Sequence, residues 1–339
     1  MIDVVSVDAV KEIVDKGNRF TIIVHRNPDG DAIGSALAWA HYLRLKGKFV
    51  DIIAPNSFPD FLKWLLGSDN ILLYDTMKND ADALLRSSDA IFCLDFNAMS
   101  RVADIADVVN ELDIPRLLID HHLYPENNFT VSISNITACS TAELVYRLIY
   151  ALGDDDMLNK DMAESIYTGI MTDTGNFAYA SNRKEIYIIV ARLIEAGIDK
   201  DKIYRRVFYN YSIDRLRLFG FVMNEKLQVF SNYNASIMTL SHNEIKRFNA
   251  VKGDTEGLVN MPLQIKGLRF SCFLREEYPG KINVSLRSVD DFPCNKVAAE
   301  FFGGGGHKNA SGGEYIGRIE DAVALFKEAI AKYSNELTN

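Results

Sequence analysis

The run HRNPDGDAIGSA places an imidazole and two carboxylates, His25, Asp29 and Asp31, in the spacing H-x3-D-x-D. Three later segments add donors of the same kind. Asp95 closes AIFCLD, Asp120, His121 and His122 close RLLIDHH, and Asp173 lies in GIMTDTGNF. Carboxylates and imidazoles at this density suit two divalent ions of the Mn²⁺, Mg²⁺ or Co²⁺ type. A shared carboxylate would hold such ions about 3.5–4 Å apart, where they acidify a bridging water and offset charge developing on a phosphoryl group. Without cations the clustered carboxylates would repel one another and raise their own pKa values. A lone Asp at a strand end usually serves a turn or caps a helix. Four such segments together point instead to a metal-dependent hydrolase.

The donors need elements to carry them. Apolar runs predict strands at Phe20–His25, Val50–Ala54, Ala90–Asp95 and Arg116–Asp120, alternating with helical patterns at Asp31–Leu45, Pro59–Leu66, Ala81–Arg86 and Val102–Leu112. This alternation predicts an α/β domain with a largely parallel sheet covered by helices on both faces. Each donor segment is a strand end or a turn beside an apolar element, so all can meet on one rim, where open α/β sheets place their chemistry. Ser140 and Thr141, with Glu143 close behind, predict a helix start. Gly153 ends that helix, and an acidic loop at Asp154–Asp156 leads to another from about Lys160. Residues 183–226 are helical in pattern and read as a connector. Past Leu227, strands at Leu227–Phe230, Ala235–Leu240, Leu268–Leu274 and Lys281–Leu286 mix with helices near Ser241–Phe248, Asn295–Phe301 and Ile319–Tyr333. They predict a smaller α+β domain. The expected division is a catalytic metal-binding domain over 1–185, a helical connector over 186–226 and a substrate-binding domain over 227–339, with the active site in the cleft between domains.

Composition narrows the class. The chain has 339 residues, of which 48% are apolar, so two ordinary cores can form. No apolar run approaches the roughly 20 residues needed to span a bilayer, and the acidic, amphipathic N-terminus does not read as a secretory signal. A cytoplasmic protein that does not associate with membranes is expected. Cys93, Cys139, Cys272 and Cys294 are scattered without a C-x-x-C pair, which argues against a disulfide scaffold or a cysteine zinc site. Cys93, inside an apolar run, reads as core. A formal net charge of −9 argues against binding long nucleic acid. Two divalent ions would bring this to about −5, which leaves short anionic substrates open.

The segment FFGGGGHKNASGGEY holds Gly303 to Gly306 followed by His307 and Lys308. Successive glycines let backbone N–H groups approach an anion closely. The segment lacks the spacing of a Walker loop and does not follow the first strand of a βαβ unit, as a dinucleotide loop would. A flexible hinge and a substrate-capture loop are the two readings, and the embedded His307 favours capture. Arg287 and Ser288, ending NVSLRS, are candidates for phosphate contact, since Arg suits bidentate phosphate recognition. Arg101 is a weaker candidate that a solvated helix-start charge would explain equally well.

HRNPDGDAIGSALA, the aspartate of FCLD, the DHH of IDHH, and MTDTGNF resemble the four motifs of the DHH phosphoesterase superfamily. The glycine-histidine segment and NVSLRS resemble its DHH-associated C-terminal domain, so the resemblance covers nearly the whole chain. It implies that His25 and Asp29 hold one ion and that Asp31, His121 and Asp173 hold the other, with Asp95 bridging. Asp120 would orient an imidazole, and His122 would face the phosphate or the bridging water. Arg287, Ser288, Gly304, Gly305, Gly306 and His307 would contact substrate. One departure is that Phe96 and Asn97 follow Asp95, where relatives often carry small or hydroxyl residues.

The chain is most similar to the compact oligoribonuclease and 3′-phosphoadenosine 5′-phosphate (pAp) phosphatase group, the NrnA type, also labelled exopolyphosphatase-related. That resemblance implies hydrolysis of RNA of about two to five nucleotides and of pAp to AMP, using two ions assigned as Mn²⁺. The rivals are a soluble phosphodiesterase of c-di-AMP or its linear product pApA, and a catalytically silent nucleotide sensor. Polyphosphate hydrolysis would want a long basic channel that the sequence does not suggest. Polarity of RNA degradation and a homodimeric state are left open.

Overall fold

The computed structural model describes every residue except Met1, Asn210, Lys252 and Asn339. The chain divides into two compact units, 1–210 and 211–339. In the first, strands β1 (Arg19–Val24), β2 (Phe49–Ala54), β3 (Leu72–Leu73), β4 (Ala90–Leu94), β5 (Arg116–Asp120) and β6 (Val131–Ser134) form one parallel sheet in the order β3-β2-β1-β4-β5-β6. The order reverses between β1 and β4. Connections there leave in opposite directions and open a crevice beyond the carboxyl ends of the strands.

The helices are α1 (Val4–Lys16), α2 (Gly30–Leu45), α3 (Lys78–Arg86), α4 (Ile105–Glu111), α5 (Thr141–Ala151), α6 (Lys160–Asp173), α7 (Lys184–Glu195) and α8 (Lys200–Phe208). Strand side chains alternate between two cores. Phe20, Ile22, Val24, Phe92 and Leu94 meet the face that carries α1, α2 and α5 to α8. Ile23, Ile91 and Cys93 meet the face that carries α3 and α4. Burial on both sides is why these strands read as continuous apolar runs.

Local expectations failed where length or a backbone break intervened. The helix expected over Pro59–Leu66 is a single 3-10 turn at Asp60–Leu62. The one expected over Val102–Leu112 is a 3-10 turn at Met99–Val102 and the helix α4, parted by Ala103 in the left-handed region at φ 52°. Strands β3, of two residues, and β6, whose four residues VSIS alternate buried and exposed, escaped notice because each is short. In the helical stretch after residue 183, Ile186, Ile189, Leu193, Ile203 and Val207 join the larger core of the first unit.

The closest packing in the first unit is between α2 and α6. A β-carbon on Gly34 would lie 2.5 Å from the Ser165 carbonyl, and one on Gly169 would lie 2.6 Å from the Ala142 β-carbon and 2.8 Å from Asp31 Oδ1. Only glycine allows this approach, which brings the start of α2 beside the end of α6.

The second unit contains α9 (Ile213–Phe221), β7 (Gln228–Phe230), β8 (Ala235–Leu240), α10 (His242–Arg247), β9 (Phe270–Tyr278), β10 (Lys281–Ser288), α11 (Cys294–Phe302), β11 (Gly305–His307), β12 (Ala310–Ile316), α12 (Ile319–Lys332) and α13 (Ser334–Thr338). Its six strands form a mixed sheet in the order β11-β12-β10-β9-β8-β7, antiparallel except between β8 and β9. The glycine segment, expected as a loop, is a hairpin in which Gly305–His307 pairs with Ala310–Gly312. Gly304 and Gly313 serve close packing. A β-carbon on Gly304 would lie 1.9 Å from the Gly312 carbonyl, and one on Gly313 would lie 2.5 Å from the Phe302 carbonyl. Gly306 adopts φ 135°, a conformation open to glycine.

Candidate metal centre

The first donors follow β1. Asp29 caps α2, its Oδ1 accepting from the backbone N–H groups of Asp31 and Ala32 at 3.0 and 3.1 Å. The cap reading and the ligand reading of Asp29 are therefore compatible. His25 donates Nδ1–H to its neighbour's carbonyl on Arg26 at 2.9 Å. That turns Nε2 toward Asp29 Oδ1 at 3.9 Å and Asp95 Oδ2 at 3.4 Å.

Asp95 stands immediately after β4 in the left-handed region, at φ 66°. Such a conformation costs of order 1–3 kcal/mol at a non-glycine residue and persists only where surroundings impose it. The ladder does so here, since Asp95 N–H donates to the Ile119 carbonyl at 3.1 Å. Its side chain is only 2% exposed. While Oδ2 faces His25, Oδ1 lies 3.7 Å from His121 Nε2.

His121 and His122 follow β5. His121 Nδ1–H donates to the Ala138 carbonyl at 3.4 Å, and its Nε2 lies 3.9 Å from Asp31 Oδ2 and 3.5 Å from Asp173 Oδ2. His122 Nδ1–H donates to Asp120 Oδ1 at 2.7 Å, and its backbone N–H donates to Oδ2 of the same carboxylate. Asp120 is fully buried and thus orients His122 rather than His121. Asp173 is the last residue of α6, the helix expected from about Lys160, whereas the other donor segments follow strands.

Three donor sets result, each with its ligand atoms within 4.8 Å of one another: His25, Asp29 and Asp95; Asp31, His121 and Asp173; Asp95, His121 and His122. Asp95 belongs to two adjoining sets. Phe96 and Asn97, the departure noted in the sequence, are structural here. Phe96 is fully buried, and Asn97 Nδ2 donates to the Leu123 carbonyl at 2.7 Å, tying down the segment after the histidines.

Sequence reasoning missed Thr141. As the first residue of α5 it donates Oγ1–H to Asp95 Oδ1 at 2.9 Å, and its N–H donates to Asp31 Oδ2 at 2.5 Å. Ala142 N–H adds a bond to Asp31 Oδ1 at 2.9 Å. The N-terminus of α5 thus aims backbone donors at a buried carboxylate, as helix N-termini favour. Glu143 holds this helix start in place. Fully buried, it accepts from Cys139 N–H at 2.7 Å and from Arg183 Nη2 at 2.6 Å. The cap signature at Ser140 was legible in the sequence, whereas nothing local marked its neighbour as a partner of Asp95.

The electrostatics test whether cations fit. Burial, followed by Asp95, Asp173 and Asp29, pushes the Asp31 carboxyl well above its usual range. Burial also lifts Asp173, to about 7, against the pull of His121. For His25 burial opposes the charge, but Asp95 and then Asp29 outweigh it and raise the imidazole to about 9. Burial would likewise raise Asp95, yet His25, His121 and His122 hold it below the carboxylate range. Asp31 and Asp173 hold their protons more tightly than ordinary carboxyl groups because burial and neighbouring carboxylates oppose their charge, so divalent cations fit.

A pH dependence follows for the metal-free protein. Asp173 favours folding below about pH 4 and His25 below about pH 6.5, their unfolded values. Those contributions are lost as pH rises through about 7 and about 9, because the folded state holds these protons more tightly. The melting temperature of the metal-free protein is expected to fall between pH 5 and 9. Mn²⁺ should raise it more at pH 8 than at pH 6, which scanning calorimetry would test. Equal increments at both values would refute the proton competition.

The remaining candidates lie apart in sequence. Arg101 is half-buried, and its carbonyl accepts from Arg26 N–H at 2.7 Å, joining its turn to the first motif. In the second unit Arg287 of β10 pairs with Ala310 of β12, which pairs with His307 of β11. Directly opposed residues in antiparallel strands share a face, so Arg287 and His307 lie on one face with a small residue between them. Ser288 is buried and donates its hydroxyl to the Phe292 carbonyl at 2.7 Å. Gly305 is exposed, with open space where a side chain would stand.

Residues 19–170 match the DHH family, N-terminal domain, and residues 234–332 match the DHHA1 domain. An exopolyphosphatase-related protein from Bacteroides fragilis has a crystal structure that superposes with a TM-score of 0.97 at 48% identity, covering 100% of this chain and 99% of that one. An uncharacterized protein of Mycoplasma pneumoniae is 30% identical, over 87% of this chain and 85% of its own. The bifunctional oligoribonuclease and PAP phosphatase NrnA of Thermus thermophilus is 27% identical, over 94% of this chain and 90% of its own.

Proposed function

We propose, for a chain that belongs to the DHH phosphoesterase family and carries its DHHA1 domain, the hydrolysis of phosphoester bonds in short oligoribonucleotides and in pAp. The observation that carries the reading is the set His25, Asp29 and Asp95 beside the set Asp31, His121 and Asp173, with Asp95 Oδ1 3.7 Å from His121 Nε2. His25 and Asp29 would hold one ion, Asp31, His121 and Asp173 the other, with Asp95 between them. Mn²⁺ suits these oxygen and imidazole donors, as do Mg²⁺ and Co²⁺. Two such ions, when bound, supply Lewis acidity to the phosphoryl group and to the attacking water.

The chain's own groups do the rest. Thr141 fixes the Asp95 carboxylate, and the start of α5 fixes Asp31. Asp120 accepts the Nδ1 proton of His122, an arrangement that would support an imidazolium whose second proton, on Nε2, passes to the leaving oxygen. The Asp29 side chain is 59% exposed and that of Asp173 29%, against 2% for Asp95, so the substrate phosphate approaches from the side of Asp29 and Asp173. Arg287 and His307, on one face of the second sheet, are assigned to the substrate's phosphates. No helix among the described residues is long and apolar enough to cross a membrane. A small, diffusible nucleotide in the cytoplasm suits a chain of net charge −9 better than long nucleic acid does.

Turnover of pAp, di- to pentaribonucleotides, pApA, c-di-AMP and polyphosphate by Mn²⁺-loaded protein tests the reading. Release of AMP from pAp and of mononucleotides from short RNA is expected. Preference for the cyclic dinucleotide, or binding of pAp without release of phosphate, would overturn it.

A further inference from the structure

The first unit carries a second feature suited to nucleotides. Where the 3-10 turn at Asp60–Leu62 meets α8, a groove of about 770 Å³ is lined by Asp60, Phe61, Trp64, Lys202, Arg205, Arg206 and Tyr209. Three cations and three aromatic rings therefore border one groove, in a chain whose net charge is −9. Asp60 is engaged by Lys63 at 2.7 Å. No ion pair within 4 Å among the described residues engages Lys202, Arg205 or Arg206, although Arg205 acts on the Asp201 carboxylate of the same helix.

The Arg206 guanidinium lies over the Trp64 ring, 4.5 Å from its centroid. A guanidinium stacked on an indole presents its second planar face outward, and such planes, like aromatic rings, accept unpaired bases. Tyr209 is 71% exposed beside it. Cations tracking a backbone beside stacking planes are the combination that binds single-stranded nucleic acid without sequence preference.

The groove also has a structural tie to the metal centre. Its Phe61 and Trp64 lie on the segment that leaves the carboxyl end of β2, the neighbour of β1. On that segment Asn56 Oδ1 accepts from Asn27 N–H at 2.7 Å, within the loop that carries His25 and Asp29.

We propose that this groove is a second binding site on the first unit, which takes a nucleotide of a single-stranded RNA. Its base lies on the Arg206–Trp64 stack or Tyr209, and its phosphate lies against Lys202 and Arg205. The proposal rests on the reading of the protein as an enzyme of short RNA, yet it concerns binding that needs neither metal nor turnover.

Trp64 provides the probe. The chain has two tryptophans, and Trp39 is fully buried in the core. Emission from half-buried Trp64 should therefore report stacking. Titration of metal-free protein with pentauridylate is expected to quench it, with parallel anisotropy of a labelled pentauridylate. In Lys202→Gln/Arg205→Gln, affinity should fall at least fivefold and the salt slope should drop by about 0.7, since the one phosphate held by both cations is no longer neutralised. Trp64→Phe should abolish the quenching and retain RNA binding through the cations.

Unchanged affinity in the double variant would overturn the proposal. So would an equal loss of affinity for pAp measured beside it, since that would place these cations at one general anion site. If RNA binds as expected but is never cleaved, the groove stands and the assignment as an RNA hydrolase fails. If RNA is cleaved with identical KM in wild type and double variant, the reverse holds.

Discussion

Asp95→Asn is expected to abolish turnover and the binding of both ions, while leaving the fold intact. Asparagine tolerates the left-handed conformation that residue 95 adopts at φ 66°. The backbone therefore stays, and the loss reports on charge. An amide offers one weak acceptor where the carboxylate directs one oxygen at His25 and the other at His121. Disturbing an outer-shell partner of a metal costs roughly 10–100-fold in affinity or activity, so removal of the carboxylate assigned between the two ions should exceed that range. Metal content by atomic absorption and single-turnover rates would measure it. Retention of either ion at wild-type affinity would end the bridging assignment.

Gly34→Ala is expected to destabilise the protein by about 2–3 kcal/mol and to weaken metal binding, though Gly34 touches no ligand. In an exposed helix this change should stabilise by about 1 kcal/mol. The sign reverses because the added carbon would lie 2.5 Å from the Ser165 carbonyl and 3.0 Å from the Gly169 nitrogen, both of them backbone atoms that cannot turn aside. Relief requires α2 and α6 to separate. Separation moves Asp31, on the first turn of α2, away from Asp173, at the end of α6. Urea denaturation of the metal-free protein and Mn²⁺ titration would show both effects. Unchanged stability would mean that the helices have slack the structure does not show.

How much of the site was legible depends on how locally each part is encoded. His25, Asp29 and Asp31 are marked by their spacing after an apolar run, and the strand and cap around them follow from burial period and capping preference. Asp95 and the Asp120–His122 triplet could be read the same way, because β4 and β5 are buried on both faces. Asp173 was picked out by its motif, and it closes the helix that was expected to start at about Lys160. The glycines of the second unit were read as a loop, yet the segment is a hairpin, and Gly304 and Gly313 are small because that hairpin and α11 crowd them.

By itself the sequence determined which side chains could bind cations, the order of the two domains, and the central strands, because those features rest on residue type and short-range periodicity. Only the tertiary structure decided that Thr141 secures Asp95 and Asp31, that Asp120 serves His122, and that Glu143 meets Arg183. Such contacts join positions as far apart as 110 residues. They are fixed by the close crossing of helices and the reversal of strand order, which leave no periodic trace along the chain.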